Sequence, residues 1–189
     1  MTWIAAVITI SVLVALLRGG KLSNIADIRL SGSLILALAW AMQIGAIFAS
    51  DQESILPIML VMASFVALLI FVWLNRHQQG LWIAAIGILM NLTVIGVNEG
   101  MPVLPEAVEL AGGTFDATTL NAKHVVLDNS TKLAFLSDII PFPGSVISLG
   151  DVFLAIGLGV FIENHLTRPR KLFRHGASGR PGSALDGTR

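Results

Sequence analysis

Cysteine is absent from the chain, and its absence excludes disulfides, Cys-ligated zinc, iron-sulfur clusters and covalently attached c-type haem. Charge is scarce too: 13% of the 189 residues are Asp, Glu, Lys or Arg, against 54% hydrophobic. With a mean hydropathy of +0.79, too little polar surface remains to cover a soluble globule of this size. No histidine falls within a long apolar run, since His77, His165 and His175 flank such runs and His124 lies in a polar segment. A bis-histidine haem inside a helical bundle is therefore excluded. The apolar runs are continuous and do not alternate, which excludes a transmembrane β-barrel. No cofactor motif and no Gly-x-Ser-x-Gly elbow is present, so no cofactor, resident metal or nucleic-acid partner is expected.

What the chain does have is five apolar stretches separated by short polar breaks. They run over Thr2 to Leu17, Ser31 to Ala49, Leu56 to Leu74, Leu81 to Val97 and Val146 to Ile162. Each is long enough to cross a bilayer or nearly so, and helices are the spanning element that satisfies its own backbone in lipid. The first stretch would rise ~24 Å against a hydrocarbon core of ~30 Å, so it needs some local thinning or snorkelling. It lacks the basic residue before it and the small-x-small site after it that mark a signal peptide, and reads as a span. Pro57 falls in the first turn of the third stretch, where its missing N–H costs nothing. The expected fold is all-α: a five-helix transmembrane domain over residues 1–165, with a structured loop over residues 98–144 between the fourth and fifth helices.

Orientation follows from the basic residues, which stay cytoplasmic in short loops. Arg18, Lys21, Arg29, Arg76, Arg168, Arg170, Lys171, Arg174, Arg180 and Arg189 fall on one side, which is ten of the twelve Lys and Arg. The other side receives Asp51, Glu53 and the 98–144 segment, where Lys123 and Lys132 stand among six carboxylates. The N-terminus is thus expected outside and the C-terminus in the cytoplasm of a cell membrane. Residues 166–189 are rich in Gly, Ser, Pro and Arg without apolar period and are expected to be a disordered basic tail. Its cluster Arg168, Arg170, Lys171 and Arg174 could hold anionic lipid or simply set the topology. Gly19-Gly20 beside two cations superficially suggests a phosphate turn, but reads better as a helix end. Leu22, Ile25 and Ile28 then suggest a short segment on the inner interface.

The 98–144 segment is too long to be a bare connection. Pro105 opens a short helix that Gly112-Gly113 ends. Ser130 to Ile140 reads as an amphipathic helix with Leu133, Leu136 and Ile140 on one face, stopped by Pro141-Phe142-Pro143-Gly144. A small outer lid is the result.

Polar residues inside the spans are the remaining clue, because an ionisable group in hydrocarbon is costly and usually faces the bundle interior. Asp151 lies ~8 Å below the outer boundary, and Gln43 and Asn91 lie ~9 Å deep, so three helices place hydrogen-bonding groups at one level. Thr9 and Ser64 come close to that level from the other two helices. Asn98 shares a stripe with Gly87 and Asn91. Two readings stay open: a structural hydrogen-bond clasp between helices, or a ligand pocket under the lid with Asp151 as its charge. In the lid, His124 and Asp138 are candidate ligand contacts. A Ser-His-Asp arrangement or a metal held by His124, Glu99 and Asp138 could be assembled from the same residues, but no motif singles either out.

R-G-G-K-L-S-N-I-A-D-I-R-L from Arg18, N-E-G-M-P-V from Asn98, L-S-D-I-I-P-F-P from Leu136 and S-L-G-D from Ser148 resemble a family of small bacterial integral membrane proteins known as a domain of unknown function. The resemblance spans residues 1–165 and implies a bacterial cell membrane and five helices, with no activity to carry over. Three classes therefore stand: a non-catalytic accessory or ligand-binding component of the cell envelope, a small transporter subunit, and an outer-face enzyme acting on a lipid-linked substrate through His124, Asp138 and Asp151. A transporter would need to oligomerise, since five helices cannot form two matched halves.

Overall fold

Continuous apolar sequence becomes helix because every backbone N–H and C=O then finds a partner within its own segment. The computed structural model describes residues 2–49, 55–116 and 124–167. Five long helices form from the five apolar stretches: α1 (Thr2–Leu17), α2 (Ser33–Phe48), α3 (Leu56–Leu74), α4 (Leu81–Asn98) and, after a short α5 (Pro105–Leu110), α6 (Leu149–Thr167). By length and composition α3, α4 and α6 can cross a membrane, while α1 and α2 are shorter apolar helices. Their outward faces are apolar, with Ile10, Leu34 and Phe48 at 60%, 70% and 85% exposure.

The long helices pack as a row in the order α1, α6, α4, α3, α2. Consecutive helices α1 and α2 thus occupy opposite ends of it. The link between them ends α1 with Gly19 in a left-handed conformation, Gly19 N–H bonded to Leu16 O and Gly20 N–H to Ala15 O, the pattern of a Schellman cap. It then runs past the end of α6 as a 3-10 turn, Leu22–Asp27. Lys21 N–H and the Asn24 side-chain amide both bond to Leu166 O, at 3.0 and 2.8 Å. Asn75 performs the same task for α2, donating to Ser31 O and accepting from Ser31 N–H, each at 2.8 Å.

The closest pair in the row is α4 with α6. A Cβ on Gly87 would collide with Gly150 O, and one on Gly157 with the Ala84 backbone. Small residues spaced along both helices let the two backbones touch, which is how helices associate where the hydrophobic effect is weak.

Over the C-terminal end of α4 and the N-terminal end of α6 lies a four-stranded sheet. Its strands are β1 (Met101–Val103), β2 (His124–Val126), β3 (Asp138–Phe142) and β4 (Ser145–Ser148), in the order β2-β1-β3-β4. β1 is parallel to both neighbours and β3 forms an antiparallel hairpin with β4. The molecule is therefore mostly helical but carries a small sheet. The helix expected over Ser130 to Ile140 is replaced by a turn at Asp128 to Thr131, a left-handed Leu133 (φ 54), a single 3-10 turn at Ala134–Leu136, and β3. Positive φ at Leu133 breaks a helical path, and Ile139-Ile140 ahead of Pro141 favours extended backbone. Likewise Val146 lies in β4, so α6 starts three residues later than the apolar run and continues to Thr167. His165 is consequently buried in the last helical turn, its ring 4.3 Å from that of Phe161, and does not lie in an exposed flank. Asp51, Glu53, Lys123 and the tail with Arg168, Arg170, Lys171 and Arg174 lie outside the described residues.

Candidate functional site

The start of α6 is built by Ser148-Leu149-Gly150-Asp151. Ser148 precedes the first helical residue, and its Oγ accepts from Asp151 N–H at 3.0 Å while Asp151 Oδ2 accepts from Ser148 N–H at 3.2 Å. This reciprocal capping box satisfies donors that a helix N-terminus leaves open, and the carboxylate sits at the positive end of the helix dipole. Across the α4–α6 contact, Ser148 Oγ donates to Asn91 Oδ1 at 2.9 Å and Asn91 Nδ2 donates to Asp151 Oδ1 at 2.9 Å. Three side chains close a ring. Ser148 is fully buried and Asn91 nearly so, so the ring is shielded from competing water. Gly150 makes it possible, since any Cβ there would strike the Asn91 amide.

Asp151 therefore sits in the first turn of α6, not some five residues inside a span, because residues 145–148 are consumed by the hairpin. The sheet lies directly above. The β1–β3 register pairs Val103 with Asp138, the β3–β4 register pairs Asp138 with Ser148, and the β1–β2 register pairs Met101 with His124. Two lid residues 14 positions apart in sequence are thereby brought together: His124 Nε2 stands 3.9 Å from Asp138 Oδ2.

Between sheet and helices lies a cavity of about 120 Å³ whose polar wall is Gln43, Asn91, His124, Asp138 and Asp151. Five side chains come from five elements, α2, α4, β2, β3 and α6. Ile47, Val61, Phe65 and Ile95 supply apolar wall. A second cavity of about 300 Å³ lies within the lid, between α5 and the β3–β4 hairpin, and His124 and Asp138 line it as well. The pair is thus common wall to both.

Asn98 is elsewhere. Its amide donates to Val94 O and Lys132 O and its oxygen accepts from Lys132 N–H, all at 2.8 Å, so it ties the lid to the end of α4. Thr9 and Ser64 bond to carbonyls of their own helices, Ala5 and Val61, and add nothing to the cavity. Among the described residues no group of three His, Asp or Glu side chains could hold a metal ion, and Ser148, which caps the helix at Asp151, has its hydroxyl committed to Asn91. Ser148 itself is the functional-site residue that sequence reasoning passed over. The signal was there: Ser-x-x-Asp directly before an apolar run is the capping-box pattern. Asn24 and Asn75 were missed for a different reason, since their partners are backbone groups 142 and 44 positions away.

A family model described as "Family of unknown function (DUF5317)" matches residues 27–163. A similar protein, an "Uncharacterized protein" of Thermotoga maritima, is 29% identical over 161 residues, which covers 82% of this chain and 87% of that one. No solved structure matches. The family match extends from the turn after α1 almost to the end of α6 and contains every residue that lines the cavity; covering well over half of the sequence, it makes this chain a member of the DUF5317 family of unknown function.

Proposed function

We propose that this protein is a five-span component of a bacterial cell envelope, N-terminus outside, that binds a small polar ligand in the cavity under its outer-face sheet and performs no chemistry on it. The observation that carries the reading is the convergence of Gln43, Asn91, His124, Asp138 and Asp151 on one cavity. A clasp between helices accounts for Asn91, Ser148 and Asp151. It does not account for Gln43 from the far end of the helix row, or for two titratable lid residues facing the same space. Keeping ionisable groups beside a membrane cavity is costly and is usually tied to a ligand.

The orientation is supported by the basic sorting, and the position of a membrane boundary by aromatic anchoring. At the end opposite the sheet, Arg76 stacks 5.2 Å over Trp73, which meets Trp82 edge-on at 6.3 Å. Exposed Trp beside a cation is typical of a membrane–water interface. Cavity volume limits the ligand, because sites for drug-sized molecules span about 300–1,000 Å³. Native mass spectrometry of the protein released from nanodiscs tests the reading. The wild type should carry a bound small species that Asp138→Asn and Asp151→Asn lose. A wild type that flies bare under the mildest conditions, with variants indistinguishable from it, would leave the clasp as the whole story.

A further inference from the structure

We infer that Leu133 and Phe135 form a foot of the lid set into the bilayer, at the boundary between phospholipid headgroups and acyl chains, with the Lys132 side chain reaching up to the phosphates. This rests on the spanning helices of the function proposed above and not on its ligand.

Leu136 fixes the depth. It belongs to one buried cluster with Ala46 of α2, Val61 of α3, and Val94 and Ile95 of α4. At about 1.5 Å per residue these positions lie ~3 to 8 Å inside the nearest ends of their helices, Phe48, Leu56 and Asn98. Three helices thus agree that Leu136 reaches below the level where they end. Lys132, four residues earlier, has its backbone N–H and O bonded to the side chain of Asn98, the last residue of α4, at 2.8 Å. The chain therefore descends from the helix end at Lys132 to the helix interior at Leu136, and returns to the sheet at Asp138, the partner of Val103. Phe135 lies on the descending limb. Its ring, 60% exposed, stands at the level of the last turn of α4 and not on top of the sheet.

At that level the lateral surroundings of the molecule are lipid. Helices packed as a row leave both faces of the row uncovered, and α4 presents Leu89 and Val97 outward along its length. The exposed Leu133 and Phe135 continue this apolar surface upward past the end of the helix. A charged residue beside Leu and Phe is the make-up of segments that lie in a membrane interface, where the apolar side chains enter the acyl boundary and the amine stays with the headgroups. A protein partner is the poorer occupant. Two side chains offer a few hundred Å² at most, against the ~1,200 Å² that a specific protein interface buries. The foot also has a consequence for the cavity beneath the sheet. Lifting the lid drags both side chains from lipid into water, so the bilayer itself holds the roof down.

The chain has no cysteine, so the test is single-cysteine spin labelling of the full-length protein in phospholipid nanodiscs. Relaxation by oxygen, which concentrates in lipid, is compared with relaxation by a water-soluble nickel chelate. Leu89→Cys on α4 is the reference within lipid and Glu109→Cys on α5 the reference in water; both positions and Phe135 are exposed, so all three variants should fold. Phe135→Cys should give an oxygen-to-nickel ratio several-fold above that of Glu109→Cys and below that of Leu89→Cys. A ratio equal to that of Glu109→Cys overturns the inference. So does a label that neither reagent reaches, since protein and not lipid would then cover the foot. An aqueous ratio at Leu89→Cys would bring down the spanning helices and the foot together, whereas lipid at Leu89 with water at Phe135 sinks the foot alone. The native ring is read by NMR of the wild type in the same nanodiscs. Phe135 ring protons should show cross-peaks to acyl-chain methylenes; cross-peaks to water alone would mean that the label seeks lipid where the phenylalanine does not, and would also overturn the inference.

Discussion

Asn91 on α4 and Asp151 on α6 meet in a 2.9 Å hydrogen bond, and the hydroxyl of Ser148 bonds to the other end of the same amide. The bond fixes helix to helix and also sets the orientation of a carboxylate that faces a cavity. Both oxygens of Asp151 accept from protein donors. Asp151→Asn therefore turns one acceptor into a donor, and a flip of the Asn91 amide can recover one bond of the two. The expected cost is about 1 kcal/mol. Asp151→Leu leaves the Asn91 amide and Ser148 N–H unpaired and should cost about 1–3 kcal/mol for each. Thermal unfolding in detergent should rank wild type above Asn and Asn above Leu; equal stability of the two variants would show that the ring carries no weight in the α4–α6 contact.

Close approach of α4 and α6 gives a sharper contrast between two helical glycines. An alanine Cβ at Gly150 would run into the Asn91 side chain and Gly87 O, whereas one at Gly96 meets only the flexible end of Met62, at 3.4 Å. Gly150→Ala should destabilise by about 1–3 kcal/mol through overpacking. Gly96→Ala should be neutral or stabilise by up to ~1 kcal/mol from helix propensity. If Gly150→Ala is as stable as the parent, the helices separate more easily than their packing implies.

Asn98 joins helix and lid through three bonds, two of them to the Lys132 backbone. Asn98→Ala should raise amide hydrogen exchange over residues 128–136 by ~10-fold or more, given about 1 kcal/mol or more for each bond lost. Exchange in α3 and α4 should stay at the parental level. Faster exchange spread over the whole bundle would mean that the lid and helices open as one unit.

How much of this was legible follows the range of the interactions. Thr2–Leu17 and Leu56–Leu74 are helices from end to end where the apolar runs lie, because their hydrogen bonds close within four residues. Asn91, Gln43 and Asp151 stood out because a polar side chain within an apolar run is visible without knowing its partner. The sheet was not legible. Val103 pairs with Asp138 across 35 positions, and the local pattern Leu133, Leu136, Ile140 fits a helix until that pairing is known. His124 and Asp138 were recognisable as candidates by residue type alone, and only the register of β1 with both neighbours brings them to one wall.

The Asp128 turn gives a pH test outside the spans. The Ser130 hydroxyl, then the Ser130 N–H, and the Thr131 groups hold its carboxylate below the ordinary Asp value of 3.8, against a smaller opposing effect of burial. A depressed folded-state value means that the turn is favoured above the unfolded-state value and loses that support as pH falls through the folded one. Amide signals of Ser130 and Thr131 should thus be unchanged from pH 7 to 5 and titrate only below 3.8. A midpoint at or above the ordinary value would show that these hydrogen bonds do not persist in solution.

Topology underlies every outer-face assignment, and a chain without cysteine makes it directly testable. Asp116 is an exposed residue beyond α5 on the sheet side, and His77 is an exposed residue between α3 and α4 at the opposite end. Positive-inside sorting puts Arg76 and its neighbour His77 in the cytoplasm and the sheet outside. A membrane-impermeant thiol reagent applied to intact cells should therefore label Asp116→Cys and spare His77→Cys until the cells are broken. The reverse pattern would turn the molecule over, so that the cavity would draw its ligand from the cytoplasm. Labelling of both sites in intact cells would mean that α3 and α4 do not flank a membrane boundary as a hairpin, and the five-span arrangement would fall with it.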